Sequence, residues 1–142
     1  VIVELASSST IDVDLEEKKH LYEKIFRTPE YFCFDPASQT LWGWRLVGGS
    51  YVPIAADQEG ALWSEQLALW LGRWQGEYLR IDATWLRLWT PDGDLVLTLA
   101  EAEAQRAEAE ARRADTAEAE VARLRARLAS LNAANGSDLG EE

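Results

Sequence analysis

Residues 1–36 read VIVELASSSTIDVDLEEKKHLYEKIFRTPEYFCFDP, and this stretch decides the fold. The short apolar run at residues 1–5 predicts a strand, although Glu4 interrupts it. After a Ser-rich turn, apolar residues at helical spacing predict a helix from about residue 15 to residue 27. The aromatic run at residues 31–35 then predicts another strand. A strand, a helix and a strand in this order are typical of an α/β domain.

Local signals mark the two ends of the predicted helix. Asp14 and Glu17 have the spacing of a capping box, with Asp14 as the N-cap. Pro29 would stop the helix, because proline has no backbone N–H to donate and disfavours a helical residue before it.

The rest of the first hundred residues predicts two hairpins and a short strand. Residues 40–47 and 51–55 would pair, because the intervening Gly48 and Gly49 readily adopt the positive φ angles of a tight turn. The turn sequence PDGD at residues 91–94 lies between two further apolar runs, 85–89 and 95–99, and predicts a second hairpin. Residues 78–81 predict the short strand.

Another group of apolar residues has the spacing of a helix. Its members are Trp63, Leu67, Trp70, Leu71 and Trp74. They predict a second amphipathic helix whose tryptophans belong to the core rather than to a ligand cage. With the other elements, this gives an α/β domain with a mixed central sheet over residues 1–99.

Composition restricts the class of protein. The chain has 142 residues, enough for one domain and an appendage. No apolar run approaches the roughly 18 residues that span a bilayer, so no membrane association is predicted. The lone Cys33 excludes an internal disulfide and a cysteine-based metal cluster, and a buried, inert thiol fits a reducing cytoplasm. The first residue is Val1 rather than Met, which predicts that a preceding part of the domain is missing.

The charge of the chain is unevenly distributed. The formal net charge of −11 argues against nucleic acid as a partner. However, residues 101–131 hold seven acids and six arginines, and the first hundred residues hold fifteen acids and eight bases. Four of those eight bases fall within residues 18–27, so one predicted helix is locally basic. This weakens the objection without removing it.

The composition changes abruptly at residue 100, where alanine, glutamate and arginine begin to dominate. Residues 100–132 predict one helix, and residues 133–142 a disordered tail. Small or apolar residues follow a heptad pattern with one phase break, at positions 100, 104, 107, 111, 114, 117, 121, 124, 128 and 131. The pattern favours a coiled coil that joins copies of the chain, and the alternative is a single solvated helix held by Glu–Arg pairs.

One lysine points toward the predicted core. At about 100° per residue, Lys18 falls close to the centre of the apolar face of its helix. A charge in that place needs a partner, and Glu4 on the preceding strand is the candidate. A carboxylate and a lysine side by side are typical of metal-dependent phosphodiesterases, in which the carboxylate binds the cation and the lysine stabilises charge on phosphorus. The alternatives are a structural ion pair, or a Lys18 that extends to solvent. His20, the only histidine, excludes a pair of histidine ligands.

Several motifs in order resemble the Uma2 family. They are ELASSST at residues 4–10, DLEEK at 14–18, Tyr22, and PEYFCFDP at 29–36. The resemblance implies a restriction-endonuclease-like fold of the PD-(D/E)XK superfamily and Mg²⁺- or Mn²⁺-dependent hydrolysis of DNA. It implies that Glu4 is a metal ligand and catalytic residue, and that Lys18 is the catalytic lysine, moved to the helix because Ala6 holds its usual position.

The chain also departs from the pattern of the family. Ser8 replaces a common proline, and Phe32 replaces a common tryptophan. The family's first catalytic aspartate lies in a Pro-Asp pair before the Glu4 strand, and the only Pro-Asp here, at Asp92, lies in a late turn. The chain by itself is therefore expected to lack one metal ligand and to be inactive. The rival reading is a non-catalytic binding or assembly module that dimerises through its coiled coil.

Overall fold

The computed structural model describes residues 1–7 and 9–137, with side chains to residue 132. The chain forms two compact units, Val1–Val96 and Leu97–Glu142. The first contains two β-sheets and a helix, and the second contains one long helix. In the part of the chain that the structure describes, no helix is long and apolar enough to cross a membrane.

The first sheet has four strands in the order β1-β2-β3-β4. They are β1 (Ile2–Leu5), β2 (Glu30–Asp35), β3 (Thr40–Val47) and β4 (Ser50–Pro53). β1 pairs parallel with β2, whereas β2, β3 and β4 pair antiparallel. The predicted α/β class and mixed sheet are therefore confirmed. The predicted hairpin is also confirmed, since Gly48 and Gly49 have φ angles of 61° and 89° in its turn.

The helix between β1 and β2 has two segments. A π-helical segment, Val13–Lys18, leads directly into helix α1, Lys19–Lys24. The predicted capping box is wrong, because Asp14 lies inside the π-helical segment with its side chain buried. The helix also ends before residue 27. Arg27 has a φ of 50°, and the Thr28 N–H donates to the Tyr22 carbonyl at 2.9 Å, as in a glycine-type helix terminus.

Strand β2 separates two apolar layers. Tyr31 and Cys33 point to the helix side, where Ala6 and Trp44 complete a buried cluster. Phe32 points to the opposite side and packs with the second sheet, against side chains that include Leu62 and Leu71. Four of the six β2 residues are apolar and at most 1% exposed. The strand is thus the centre of the first unit.

The prediction of a second amphipathic helix is wrong, because the same residues belong to a second sheet. Its antiparallel strands are β5 (Leu62–Ser64), β6 (Leu69–Tyr78) and β7 (Ile81–Trp89). The tryptophans that suggested a helical stripe pair across strands: Trp63 with Trp70, Trp70 with Trp89, and Trp74 with Trp85. Aromatic cross-strand pairs stabilise sheets, and Gly72 and Gly76 disfavour a helix over the same residues.

The turns of this sheet correct two more predictions. Residues 78–81 are not one strand, because Leu79 and Arg80, with φ angles of 53° and 63°, form the turn between β6 and β7. The predicted turn at residues 91–94 is present, and the Thr90 N–H donates to the Asp94 carbonyl at 2.8 Å. After it, Leu95 forms only an isolated bridge to Trp89, and no strand spans residues 95–99 among those described.

The second unit contains helix α2, Leu99–Ser137. This confirms the long C-terminal helix. A capping box starts it: the Glu101 N–H donates to the Thr98 hydroxyl at 3.3 Å, and the Thr98 N–H donates to the Glu101 carboxylate at 2.7 Å. Disorder was predicted for residues 133–142. Their side chains, and the backbone from residue 138 onward, lie outside what the structure describes.

A buried carboxylate joins the two sheets. Glu30 is fully buried at the start of β2, and its Oε1 accepts hydrogen bonds from Arg45 at 3.0 Å and from the Glu65 N–H at 2.9 Å. Its Oε2 accepts from the Ser64 hydroxyl and the Gln66 N–H. Burial by itself raises the pKa of Glu30, but these hydrogen bonds outweigh it and hold the pKa below the ordinary value of 4.5. The charged carboxylate thus fixes the turn between β5 and β6.

Replacing Glu30 should weaken the fold in a pH-dependent way. We expect Glu30→Gln to lower the free energy of unfolding at neutral pH by about 3 kcal/mol, because it breaks a buried charge network. A depressed carboxyl pKa stabilises the fold above the pKa of the unfolded chain, and this contribution is lost as the pH falls through the folded-state pKa. The difference between wild type and variant should therefore shrink in acid, as measured by urea unfolding followed by tryptophan fluorescence.

The matched control is Glu65→Gln, which removes another carboxylate that pairs with Arg45. The Glu65 side chain is 57% exposed, so its loss should cost less than about 1 kcal/mol. Equal costs for the two variants would contradict a special role for the buried network.

Candidate active site

The candidate site begins at Glu4 on β1. The strand alternates, so Val3 and Leu5 are exposed while Ile2 and Glu4 face the helix side of the sheet. Parallel pairing places Glu4 beside the buried Cys33 of β2. The Glu4 side chain is 24% exposed, so it lies at the rim of the core and can be reached from solvent.

The structure brings Lys18 to Glu4. The Lys18 Nζ donates to the Glu4 Oε2 at 3.3 Å, and the contact that the helical pattern predicted is present. The same Nζ lies 2.7 Å from the Asp14 Oδ1, one helical turn earlier. The contact with Asp14, assisted by Glu4 and opposed by partial burial, raises the pKa of Lys18 above its ordinary value of 10.5. Lys18 is therefore a persistent cation at neutral pH.

Tyr22 fixes the other oxygen of Glu4. Its hydroxyl donates to the Glu4 Oε1 at 2.8 Å, and this hydrogen bond, together with burial, raises the pKa of Tyr22 above its ordinary value. Asp14, Lys18 and Tyr22 are spaced four residues apart, so one side of the helical region presents all three toward β1. Sequence reasoning assigned Asp14 to a cap and gave Tyr22 no role, although this four-residue spacing was visible.

Asp14 is the most buried charge of the cluster. Its side chain is 2% exposed, and the Oδ1 has no hydrogen-bond partner apart from the ion pair with Lys18. The Asp14 carbonyl accepts a hydrogen bond from the Tyr31 hydroxyl at 2.9 Å, which ties the π-helical segment to β2. The position of Asp14 is thus set by the core of the domain.

The segment that carries this cluster matches a known family. Residues 1–83 match the model of the Uma2 family, which is described as "Putative restriction endonuclease". The chain belongs to the Uma2 family. No curated protein matches it. The Uma2 match includes all four residues of the cluster, Glu4, Asp14, Lys18 and Tyr22, and extends into β7.

Cys33 lies beneath the cluster in this Uma2 chain. Its thiol is free and fully buried, and burial raises its pKa to about 11. The thiol is thus neutral at physiological pH and unsuited to nucleophilic attack or metal binding.

Other candidate residues lie in turns. Asp35 accepts hydrogen bonds from the Ala37 and Ser38 N–H groups at 3.0 and 3.1 Å, so its carboxylate caps the turn after β2. Asp92 is exposed in the turn after β7. Asp35 therefore stabilises the turn between β2 and β3.

The cluster offers two carboxylates to a cation. Within residues 1–7 and 9–137, no group of three or more His, Cys, Asp or Glu side chains is arranged to hold a metal ion. Glu4 and Asp14 supply hard oxygen donors, and the buried Asp14 Oδ1 is paired with the Lys18 ammonium at 2.7 Å. Because Mg²⁺ is commonly bound by one or two carboxylates plus waters, this donor set fits it.

Removing the Tyr22 hydroxyl tests whether its hydrogen bond to Glu4 stabilises the fold. We expect Tyr22→Phe to lower the free energy of unfolding by about 1.5 kcal/mol, because a partly buried hydrogen bond to a carboxylate is lost. Chemical denaturation at neutral pH measures this. Tyr78→Phe is the control, since the structure gives the Tyr78 hydroxyl no hydrogen-bond partner within the described residues, and a similar loss there would contradict the assignment.

Proposed function

We propose that this Uma2 chain belongs to a metal-dependent DNA endonuclease that hydrolyses phosphodiester bonds. The single observation that supports it is the contact of Lys18 with Glu4, at 3.3 Å, inside the segment that matches the family. The contact joins two groups. One is a carboxylate that can bind a cation, and the other is a lysine that can bind an anion. The cytoplasm is the proposed compartment, supported by the free thiol of Cys33.

Each residue has a distinct part in the proposed reaction. Glu4 would hold Mg²⁺ or Mn²⁺, which when bound activates water and polarises the phosphate. The hydroxyl of Tyr22 fixes the Glu4 carboxylate in orientation. The raised pKa of Lys18 keeps its ammonium protonated, so it serves to stabilise negative charge on the phosphate and is unsuited to accept a proton.

DNA is the proposed substrate because the family description specifies a restriction endonuclease. The net charge of −11 opposes this, but it is an average over the whole chain. Lys18, Lys19, Lys24 and Arg27 lie in or just after the helical region that carries the site. Lys24 is paired with Glu23, so besides Lys18 it is Lys19 and Arg27 that would meet a phosphate.

Plasmid cleavage tests the proposal. The protein encoded by the complete gene should nick supercoiled DNA in Mn²⁺, and Glu4→Ala and Lys18→Ala should each reduce the rate by at least about 100-fold. Lys24→Ala is the control, since it removes an exposed lysine of the same helix that contacts Gly49 and Ser50 instead of Glu4. Circular dichroism should show that the variants remain folded.

Cleavage that survives both substitutions would contradict the assignment of Glu4 and Lys18. If the complete protein shows no metal-dependent cleavage, Glu4 and Lys18 form only a structural ion pair. The assembly reading would then be favoured.

The second candidate function is assembly through α2. The observation that favours it is a run of exposed apolar side chains at heptad spacing, with exposures of 45% for Val121, 48% for Leu124, 60% for Leu128 and 54% for Leu131. In a dimeric coiled coil these side chains would fill the a and d positions of the interface. The alanine-rich first half of α2 would add little apolar area to that interface.

Sedimentation velocity tests this assembly. The wild-type chain should sediment as a dimer, and Leu124→Glu with Leu128→Glu should convert it to a monomer, because two charges would enter the apolar seam. The matched control is Ala126→Glu, on the opposite side of the helix, which should leave the dimer intact. Equal masses for all three proteins would contradict a coiled-coil dimer.

A further inference from the structure

The outer face of the second sheet carries most of the tryptophans of the chain. On the inner face, Leu62 and Leu71 pack with Phe32. Because side chains alternate along a strand, the pairing of β5, β6 and β7 puts five of the seven tryptophans on the outer face, at positions 63, 70, 74, 85 and 89. None of these five is fully buried, so the face is a partly accessible aromatic surface.

A cavity of about 380 Å³ opens beside this face, between the loop before β5 and the turn after β7. Trp70, Trp89 and Gly72 line it. Gly72 has no positive φ, so the backbone does not require a glycine there. A Cβ at this position would lie 3.1 Å from the Trp89 ring and 3.2 Å from the Ala61 Cβ. A glycine inside a strand often marks a place that another group approaches closely, and here it leaves room beside the Trp89 ring.

The cavity also carries charges of both signs. Asp57, Glu59 and Arg73 line it. The Asp57 Oδ1 accepts hydrogen bonds from the Glu59 and Ala61 N–H groups at 2.9 and 2.8 Å, which fixes the loop before β5. The Arg73 Nη2 donates to the Glu59 carbonyl at 3.3 Å, and within residues 1–7 and 9–132 no carboxylate lies at ion-pair distance from this guanidinium. These charged groups are thus held in place without pairing with one another.

This combination of groups favours a flat, uncharged ring with polar edges. Indole rings stack on planar rings, and every nucleobase has such a face. Two carboxylates against one guanidinium disfavour a phosphate or another anion in the cavity. A carboxylate accepts a hydrogen bond from an exocyclic amino group of a base, and a guanidinium donates to ring nitrogens and carbonyl oxygens.

We propose that this cavity binds a nucleobase that carries an exocyclic amino group, such as adenine. The base stacks against Trp70 and Trp89. Its amino group donates to the carboxylates of Asp57 and Glu59, and Arg73 donates to a ring nitrogen.

The proposed base site is separate from the Glu4 cluster. Glu4 faces the helix side of the first sheet, whereas the second sheet packs on the opposite side of β2. The inference therefore goes beyond the proposed function and requires neither a metal ion nor cleavage. A free nucleoside and an unpaired nucleic-acid strand both present such a base, and the experiment distinguishes these two sources.

NMR of the ¹⁵N-labelled chain titrated with adenosine tests the site. The indole N–H signals of Trp70 and Trp89 should shift and saturate, whereas the signal of Trp85, which lies on the same face outside the cavity, should stay in place. Trp89→Leu should weaken adenosine binding at least about 10-fold, because a stacking surface is lost. The matched control Trp85→Leu should bind as wild type does. Inosine has a carbonyl in place of the amino group of adenosine, and it should bind at least about 5-fold more weakly.

The outcomes decide both the site and the source of the base. Tighter binding of a single strand of deoxyadenosines than of adenosine would identify an unpaired strand, and weaker binding would identify a free nucleoside, because the phosphates of the strand would meet the carboxylates. No shift at millimolar adenosine, or an equal shift at Trp85, would overturn the proposal. Inosine that binds as tightly as adenosine would overturn the role of the amino group. If Trp89→Leu fails to fold by circular dichroism, the wild-type shifts and the comparison with inosine decide. Plasmid cleavage is judged by its own experiment in every case.

Discussion

The burial of strand β2 on both faces is the constraint on which the rest of the first unit depends. Its alternating side chains serve two cores: Tyr31 and Cys33 pack under the helix, and Phe32 packs against the second sheet. Fully burying side chains of this size contributes about 2 kcal/mol or more each. The helix and the second sheet are needed to cover these two faces. Glu30 extends the same strand into the polar network that fixes the β5–β6 turn.

The position of the candidate site follows from this central strand. β1 pairs parallel with β2, and a parallel pair requires a crossover connection, which here contains the helical region. That region crosses the face on which Glu4 lies, so Lys18 and Tyr22 reach the same carboxylate. The π-helical segment then places Asp14 next to Lys18. A cluster of charges thus forms where the core meets its rim, where burial strengthens ion pairs and solvent remains accessible.

Particular elements show how far sequence reasoning reached. β2, β3 and the Gly48-Gly49 turn were predicted because alternation, aromatic content and glycine at positive φ act over a few residues. The tryptophans at residues 63–74 led to the wrong prediction of a helix. Spacings of three and four residues also arise when rings pair across neighbouring strands. The capping box predicted at Asp14 is wrong, because Asp14 lies buried inside the π-helical segment. A different pair with the same spacing, Thr98 and Glu101, caps α2. In both cases a local pattern agreed with more than one structure, and partners distant in sequence decided between them.

The sequence by itself determined the α/β class, the order of the first elements, the long charged helix and the two residues, Glu4 and Lys18, that had to compensate each other. These features depend on periodicity and on the cost of an unpaired charge near the core, and both are visible in one segment of chain. Only the tertiary structure decided that Asp14 is a buried partner of Lys18, that Tyr22 holds Glu4, and that the second layer is a sheet. Those outcomes depend on which surfaces β2 leaves uncovered and on which side chains meet there, and no local pattern contains that information.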